Sequence, residues 1–205
     1  KLRNAVGDYD FNTYVRALTD FCNEDLSAFF FDIRKDVLYC EANEEDGKQT
    51  ERRRAYRTVL DTLFQALVRW LSPVLVFTSE EVWGTRYPDA GSVHLLEWPV
   101  VLQVDANEAK WAALRALRAQ VTEAIEPLRR EKVLGSSLEA EVTLAELPAS
   151  AEELAELFIV SAVHPGQEFA VAKTDKHKCG RCWRFLPEVR EDGSLCDRCE
   201  DMLND

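Results

Sequence analysis

Apolar residues recur along the first part of the chain at the three- and four-residue spacing of a helix. Phe11, Tyr14, Val15, Leu18, Phe21 and Cys22 form one stripe, and Leu26, Phe29, Phe30, Ile33 and Val37 continue it. The pattern predicts helix over residues 8–40. "EANEEDGKQT" (41–50) is polar, holds a glycine and lacks apolar anchors, so it reads as a loop. The longest predicted helix follows, over about 50–71, with Tyr56, Leu60, Leu63, Phe64, Leu67, Trp70 and Leu71 on one face. Ser72-Pro73 breaks or kinks it. Thr78 and Glu81 have the spacing of a capping box and predict a helix start at "TSEEVW". "YPDAGS" reads as a turn, and "VHLLEWP" as an extended segment stopped by Pro99.

The pattern then changes. "NEAKWAALRALRAQVTEAIEPLRREK" predicts a helix with Trp111, Leu114, Leu117, Val121 and Ile125 on one side, ended by Gly135. Leu138, Ala140, Val142 and Leu144 alternate at period two, as in a strand. "SAEELAELF" reads as a short capped helix, and "FIVSAV" and "EFAVAKT" as two more strands. The predicted fold is mainly α. An antiparallel helical bundle spans 1–98, a small α/β domain spans 99–172, and a cysteine-rich tail spans 173–205.

Composition narrows the class. The chain is 46% hydrophobic, enough to bury a core, and no apolar run approaches the ~18 residues of a membrane span. The start, "KLRNAVGDYD", lacks the apolar centre of a signal peptide. The reading expects a cytoplasmic, monomeric protein or a fragment of one. The net charge of −12 argues against general nucleic-acid binding. Two local stretches run the other way. "KQTERRRAYR" (48–57) holds five basic residues and one acidic, and residues 173–190 hold six basic and two acidic, +4 in each case. A polyanion has two places to dock.

Cys179, Cys182, Cys196 and Cys199 form two C-x-x-C pairs. Two such knuckles joined by a short loop place four thiolates around one tetrahedral Zn²⁺. "EDG" (191–193) supplies the turn, and a tail with few large apolar residues needs the folding energy of a metal. Disulfides, a redox pair and an iron centre are the competing readings, and His177 is an alternative ligand. Cys22 and Cys40 lie in apolar helical surroundings and are expected to be buried, reduced thiols. A site closed by four cysteines has no open position for water and is structural.

Trp183 and Arg184 follow the first pair directly, with Lys178 and Arg181 beside them. An indole next to guanidinium groups is a stacking platform for an unpaired base. The alternative is an indole packed on the metal loop, with basic residues that only offset thiolate charge. Arg53 and Arg57, four apart on one helix face, either meet phosphate or sit in intramolecular ion pairs. No nucleophile–base constellation and no glycine-rich phosphate cradle appears in the sequence. The expectation is that this chain alone does not catalyse.

The order of segments resembles the C-terminal part of bacterial isoleucyl-tRNA synthetases. "YDFNTYVRALTDFCNEDLSAFFFDIRKDVLY" and "RRRAYRTVLDTLFQALVRWLSPVLVFTSEEVW" are similar to that family's anticodon-binding helices. "SVHLLEWP", "REKVLGSSLEAEVTL" and "KCGRCWRF…LCDRC" are similar to its bundle-closing segment, its junction and its zinc tail. The resemblance covers essentially the whole chain and implies a helical anticodon-binding domain that is N-terminally truncated. The catalytic and editing domains, and with them ATP and the joining of isoleucine to tRNA(Ile), would lie outside it. It implies tRNA(Ile) as partner, with Trp183 placed to stack in the anticodon loop. The competing class is a stand-alone zinc adaptor that binds a protein partner.

Overall fold

The computed structural model describes residues 1–41, 50–101 and 104–203, so most of the predicted 41–50 loop lies outside the described residues. The chain is mostly helical, with a small sheet, and divides into two compact units, Lys1–Val104 and Asp105–Asp205.

The first unit is built from α1 (Leu2–Gly7), α2 (Phe11–Asp20), a π-helix (Phe21–Phe31), α3 (Asp32–Cys40), α4 (Glu51–Leu71) and α5 (Val76–Arg86). From α2 to α3 the chain is one unbroken helical run. Its π-wound centre has a cause in the residue spacing. Tyr14, Leu18, Cys22, Leu26 and Phe30 stand four apart. In an α-helix each step of four overshoots a full turn by ~40°, so four steps would carry the stripe ~160° around the axis. A π-helix bonds i to i+5 and winds more residues into each turn. The stripe therefore stays on the inner side, with Tyr14, Leu18 and Leu26 buried and Cys22 and Phe30 half-buried.

Ala5, Tyr14 and Leu18 form a core with Leu2, Trp70, Leu71 and Trp98. The Tyr14 hydroxyl donates to the Trp70 carbonyl at 2.6 Å, which pins α2 to α4. A second cluster joins Val68 of α4, Trp83 of α5 and Val93. Glu80 fixes the returning segment by accepting from the Ser92 hydroxyl at 2.9 Å and the Val93 amide at 3.0 Å.

Several predicted boundaries move. α5 begins at Val76 with Leu75 as its first cap, and Thr78 caps nothing. The turn after Pro73 bonds the Leu75 amide back to Leu71 at 2.7 Å, so the helix resumes before Thr78 is reached. Val93–Leu95 is a 3₁₀ turn and only the residues after it are extended. α6 (Glu108–Arg130) stops short of Gly135 because Lys132 turns left-handed (φ 60°) and Leu134 tucks inward. Trp111 on α6 is exposed, whereas Leu114, Val121 and Ile125 are buried as the periodicity requires. Neither Cys40, which is buried, nor Cys22, which is half-buried, is in a disulfide.

The second unit packs α6 and α7 (Ala151–Phe158) with a three-stranded sheet of order β2-β1-β3, where β1 is Ala140–Leu144, β2 Ala162–Pro165 and β3 Ala170–Lys173. β1 runs parallel to β2 and antiparallel to β3. Ala140, Val142 and Leu144 alternate inward as read from the sequence. Ser150 and Glu153 close a reciprocal capping box on α7. The tail adds a short hairpin, β4 (His177–Lys178) with β5 (Phe185–Leu186), and a last helix, α8 (Asp197–Asp201).

The tail is tied to the sheet by polar contacts. The Ser161 hydroxyl donates to the Phe185 carbonyl at 2.9 Å. Glu141 on β1 accepts from Thr174 Oγ1 at 2.7 Å and from Lys176 Nζ at 2.8 Å, with His164 Nε2 at 3.2 Å. Burial raises the Glu141 carboxyl, but the Lys176 and Thr174 hydrogen bonds outweigh it and hold it below the usual range. A depressed carboxyl contributes stability that is complete above the ordinary glutamate pKa of ~4.3 and is lost as pH falls through the lower folded value. Glu141→Gln should therefore cost about 1 kcal/mol at neutral pH and flatten the acid side of the stability profile. Hydrogen exchange of the β1 amides at pH 7 and at acid pH measures both, and unchanged protection at pH 7 would refute the assigned role.

Candidate metal centre

The four tail cysteines are brought together. Their Sγ atoms all lie within 4.8 Å of one another. Cys179, Cys196 and Cys199 are fully buried, with Cys182, Val189, Leu186 and Leu195 packed around them. Sulfurs of a tetrahedral site with Zn–S of ~2.3 Å stand ~3.8 Å apart. Cys182 Sγ and Cys196 Sγ are 3.8 Å apart. The donor set and its size fit a tetrahedral thiolate-loving ion.

Local backbone geometry makes the cage. The Trp183 amide donates to the Cys179 carbonyl at 3.1 Å, and the Cys179 amide to the Arg184 carbonyl at 2.9 Å, which curls the first knuckle. The second strand of the cage is held by Gly180 N–H to Ser194 O at 3.0 Å and Gly193 N–H to Lys178 O at 2.9 Å. This approach admits no side chain at position 180, since a Cβ there would run into the Gly193 carbonyl oxygen. Gly193 itself sits at φ 96°, where glycine is free and other residues are strained.

Donors converge on the sulfurs. The Cys196 amide donates to Cys179 Sγ at 3.3 Å, and Arg181 Nη1 lies 3.6 Å from Cys199 Sγ. Burial pushes the Cys179 thiol up, but the amides of Cys182, Arg181 and Cys196 bring it down to about 6. Burial dominates at Cys182 and Cys196 and raises both. A bound cation reverses that burial penalty, because each thiolate is then paired with opposite charge.

The other sequence-predicted residues separate into two groups. His177 is not among the clustered ligands; it lies on the hairpin with Nδ1 3.5 Å from Asp192 Oδ1. Arg181 is half-buried with its guanidinium turned to the Cys199 sulfur. Trp183 is 61% exposed and Lys178 Nζ lies 5.4 Å from its ring centroid. Most of its indole lies in water. Arg184 is half-buried, and among the described residues its guanidinium has no hydrogen-bond or ion-pair partner. On α4, Arg53 is half-buried and its Nη1 donates to the Glu41 carbonyl, while Arg57 is exposed. Glu41 is itself buried beside Thr50 and Arg52, so Arg53 belongs to a structural knot between α3 and α4.

Two contributors were missed in the sequence. Asp192 accepts from the Lys178 amide at 2.8 Å and closes the loop between the knuckles. Arg198 bonds Cys182 from α8. An acidic residue just before a glycine in the inter-knuckle turn was the available signal for the first. Arg198 carried none, since its partner depends on how α8 is wound.

Residues 1–144 match the family described as the anticodon-binding domain of tRNA ligases. The match runs past Trp98 and Pro99, through α6 and to the end of β1. The isoleucine–tRNA ligase of Zymomonas mobilis is 53% identical over the whole of this chain. Those of Gluconobacter oxydans and Agrobacterium fabrum are 41% and 42% identical over 99% and 96% of it. The chain spans 23% of the length of the first two relatives and 22% of the third. With its helices and its junction strand inside one family match, the chain belongs to the anticodon-binding domains of tRNA ligases.

Proposed function

We propose that the chain is the tRNA-binding C-terminal part of an isoleucine–tRNA ligase. Its tail holds one structural Zn²⁺ through Cys179, Cys182, Cys196 and Cys199, and Trp183 stacks on an unpaired base in the anticodon loop of tRNA(Ile). The observation that carries the reading is the Trp183 backbone. Its φ is 64°, a left-handed value that suits glycine. The knuckle therefore carries a bulky ring where folding alone favours none, and leaves that ring in water. Such a residue is explained by what the ring touches outside the chain.

Around it, Lys178 places a cation over one face of the indole, and the Arg184 guanidinium, which has no partner among the described residues, is suited to a phosphate. Arg57 is the exposed member of the α4 pair and the one proposed for phosphate; Arg53 holds the α3–α4 connection. The ion would supply folding energy and a rigid mount, since four thiolates leave it no position for water. ATP use and the joining of isoleucine to its tRNA belong to the rest of such a ligase. No described helix is long and apolar enough to cross a membrane. A cytoplasmic monomer is the setting proposed. The similarity to tRNA ligases along the whole chain gives a stand-alone adaptor no support.

Metal analysis should give about one zinc per chain, and Cys179→Ser with Cys196→Ser should abolish it. Chelation should expose residues 173–203 to protease while leaving most of the helical circular dichroism. Loss of all helix on chelation, or zinc retained without these thiols, refutes the assignment.

Trp183→Gly separates fold from function. It removes the ring and relieves the left-handed strain together. Zinc content should stay at one per chain and resistance to chelation should hold or rise. Affinity for tRNA(Ile) should fall by about five- to a hundred-fold, the value of one base–aromatic stack. Unchanged affinity with zinc retained would overturn the recognition role.

A further inference from the structure

An exposed aromatic side chain on left-handed backbone also occurs in the first unit. Tyr9 sits at φ 56° in the turn between α1 and α2 and is 80% exposed. Phe11, which opens α2, is 62% exposed, and the two rings meet edge to face with centroids 6.5 Å apart. Backbone hydrogen bonds close the turn: the Tyr9 amide donates to Val6 O at 3.2 Å, and the Asp10 amide to Ala5 O at 2.8 Å. Asp10 caps α2 through the Thr13 amide at 3.0 Å. Neither aromatic ring is needed for this turn, and a glycine would adopt the Tyr9 conformation without strain.

Phe11 forms one wall of a cavity of about 520 Å³, whose lining includes Val15, Trp98, Arg69, His94 and Glu97. The walls are preset. Trp98 is held between Arg3, 5.7 Å from its ring centroid, and the rings of Tyr14 and Trp70. Arg69 is half-buried, with Nη2 3.1 Å from Gln65 Oε1 and its guanidinium 6.0 Å from the Trp83 ring centroid. The volume falls in the roughly 300–1,000 Å³ range of small-ligand sites. An apolar helix would cover a cation and a carboxylate without pairing them. A flat aromatic group with donors and acceptors on its edge suits both the rings and the charges.

We propose that the Tyr9–Phe11 pair and the cavity beside it form a separate site for an unpaired nucleobase of bound RNA. This rests on the reading of the chain as a tRNA-binding domain. Phe11, the ring that lines the cavity, stacks on the base, Tyr9 braces Phe11 edge to face, and Arg69 and Glu97 meet the polar edge of the base.

The test uses the 205-residue chain and an anticodon stem–loop of tRNA(Ile) carrying 2-aminopurine at one loop position at a time. At one position the wild-type chain should quench the fluorophore, and Tyr9→Gly or Phe11→Ala should abolish that quenching. Each variant should weaken binding by about five- to a hundred-fold with helical circular dichroism unchanged. Tyr9→Phe, which keeps the ring, should bind as wild type does. If Tyr9→Gly and Phe11→Ala bind normally while Trp183→Gly does not, this site is refuted and the anticodon reading stands. If the wild-type chain binds no stem–loop, both fall. Concentration-dependent self-association abolished by Phe11→Ala, with RNA affinity unmoved, would make the face a contact between copies and overturn the proposal.

Discussion

Four sulfurs confined within 4.8 Å of one another dictate the form of the C-terminal unit. As thiolates they repel at that distance, and only a shared cation makes the cluster favourable. To bring them together the chain must curl twice, and each curl uses amides that would otherwise serve a strand or helix. Gly180 loses its side chain to the approach of Gly193, and residue 183 is forced into left-handed backbone. The direction of the indole follows from that turn, so the same bonds that close the cage aim the ring outward.

The sheet shares in this arrangement. Ser161 and Glu141 reach from the sheet region to the tail, and both lie in the same compact unit as the knuckles. Changes in the tail are therefore felt at β1, whose partner strands on either side are edges. The first unit is organised differently, by aromatic packing of Tyr14, Trp70 and Trp98 and by the Tyr14 hydroxyl-to-carbonyl bond between α2 and α4.

Periodicity located the longer elements, because their buried faces obey simple spacing: α4, α6, α7 and β1 all lie within a few residues of the expected positions. The clustering of the four cysteines was legible as well, since two short knuckles leave few other ways to arrange them. What escaped was set by backbone events that side-chain pattern does not encode. The turn after Pro73 decided where α5 began, and Lys132 ended α6 before Gly135. Arg53 and Arg57 looked equivalent on a helix wheel, but the buried Glu41 carbonyl claims one of them. Phe11 looked like an ordinary position on the apolar stripe, and only its exposure sets it apart.

The π-wound stretch from Phe21 to Phe31 also has a bearing on how this sequence can change. Its inward stripe relies on a wider winding than the flanking helices use, so residue count there is constrained as well as residue type. Substitutions that keep the apolar pattern leave the phase intact. Removal of one residue would turn everything after it by ~100° about the helix axis and carry Ile33, Val37 and Cys40 off the core. Related chains should accordingly vary more freely in composition than in length between Tyr14 and Cys40.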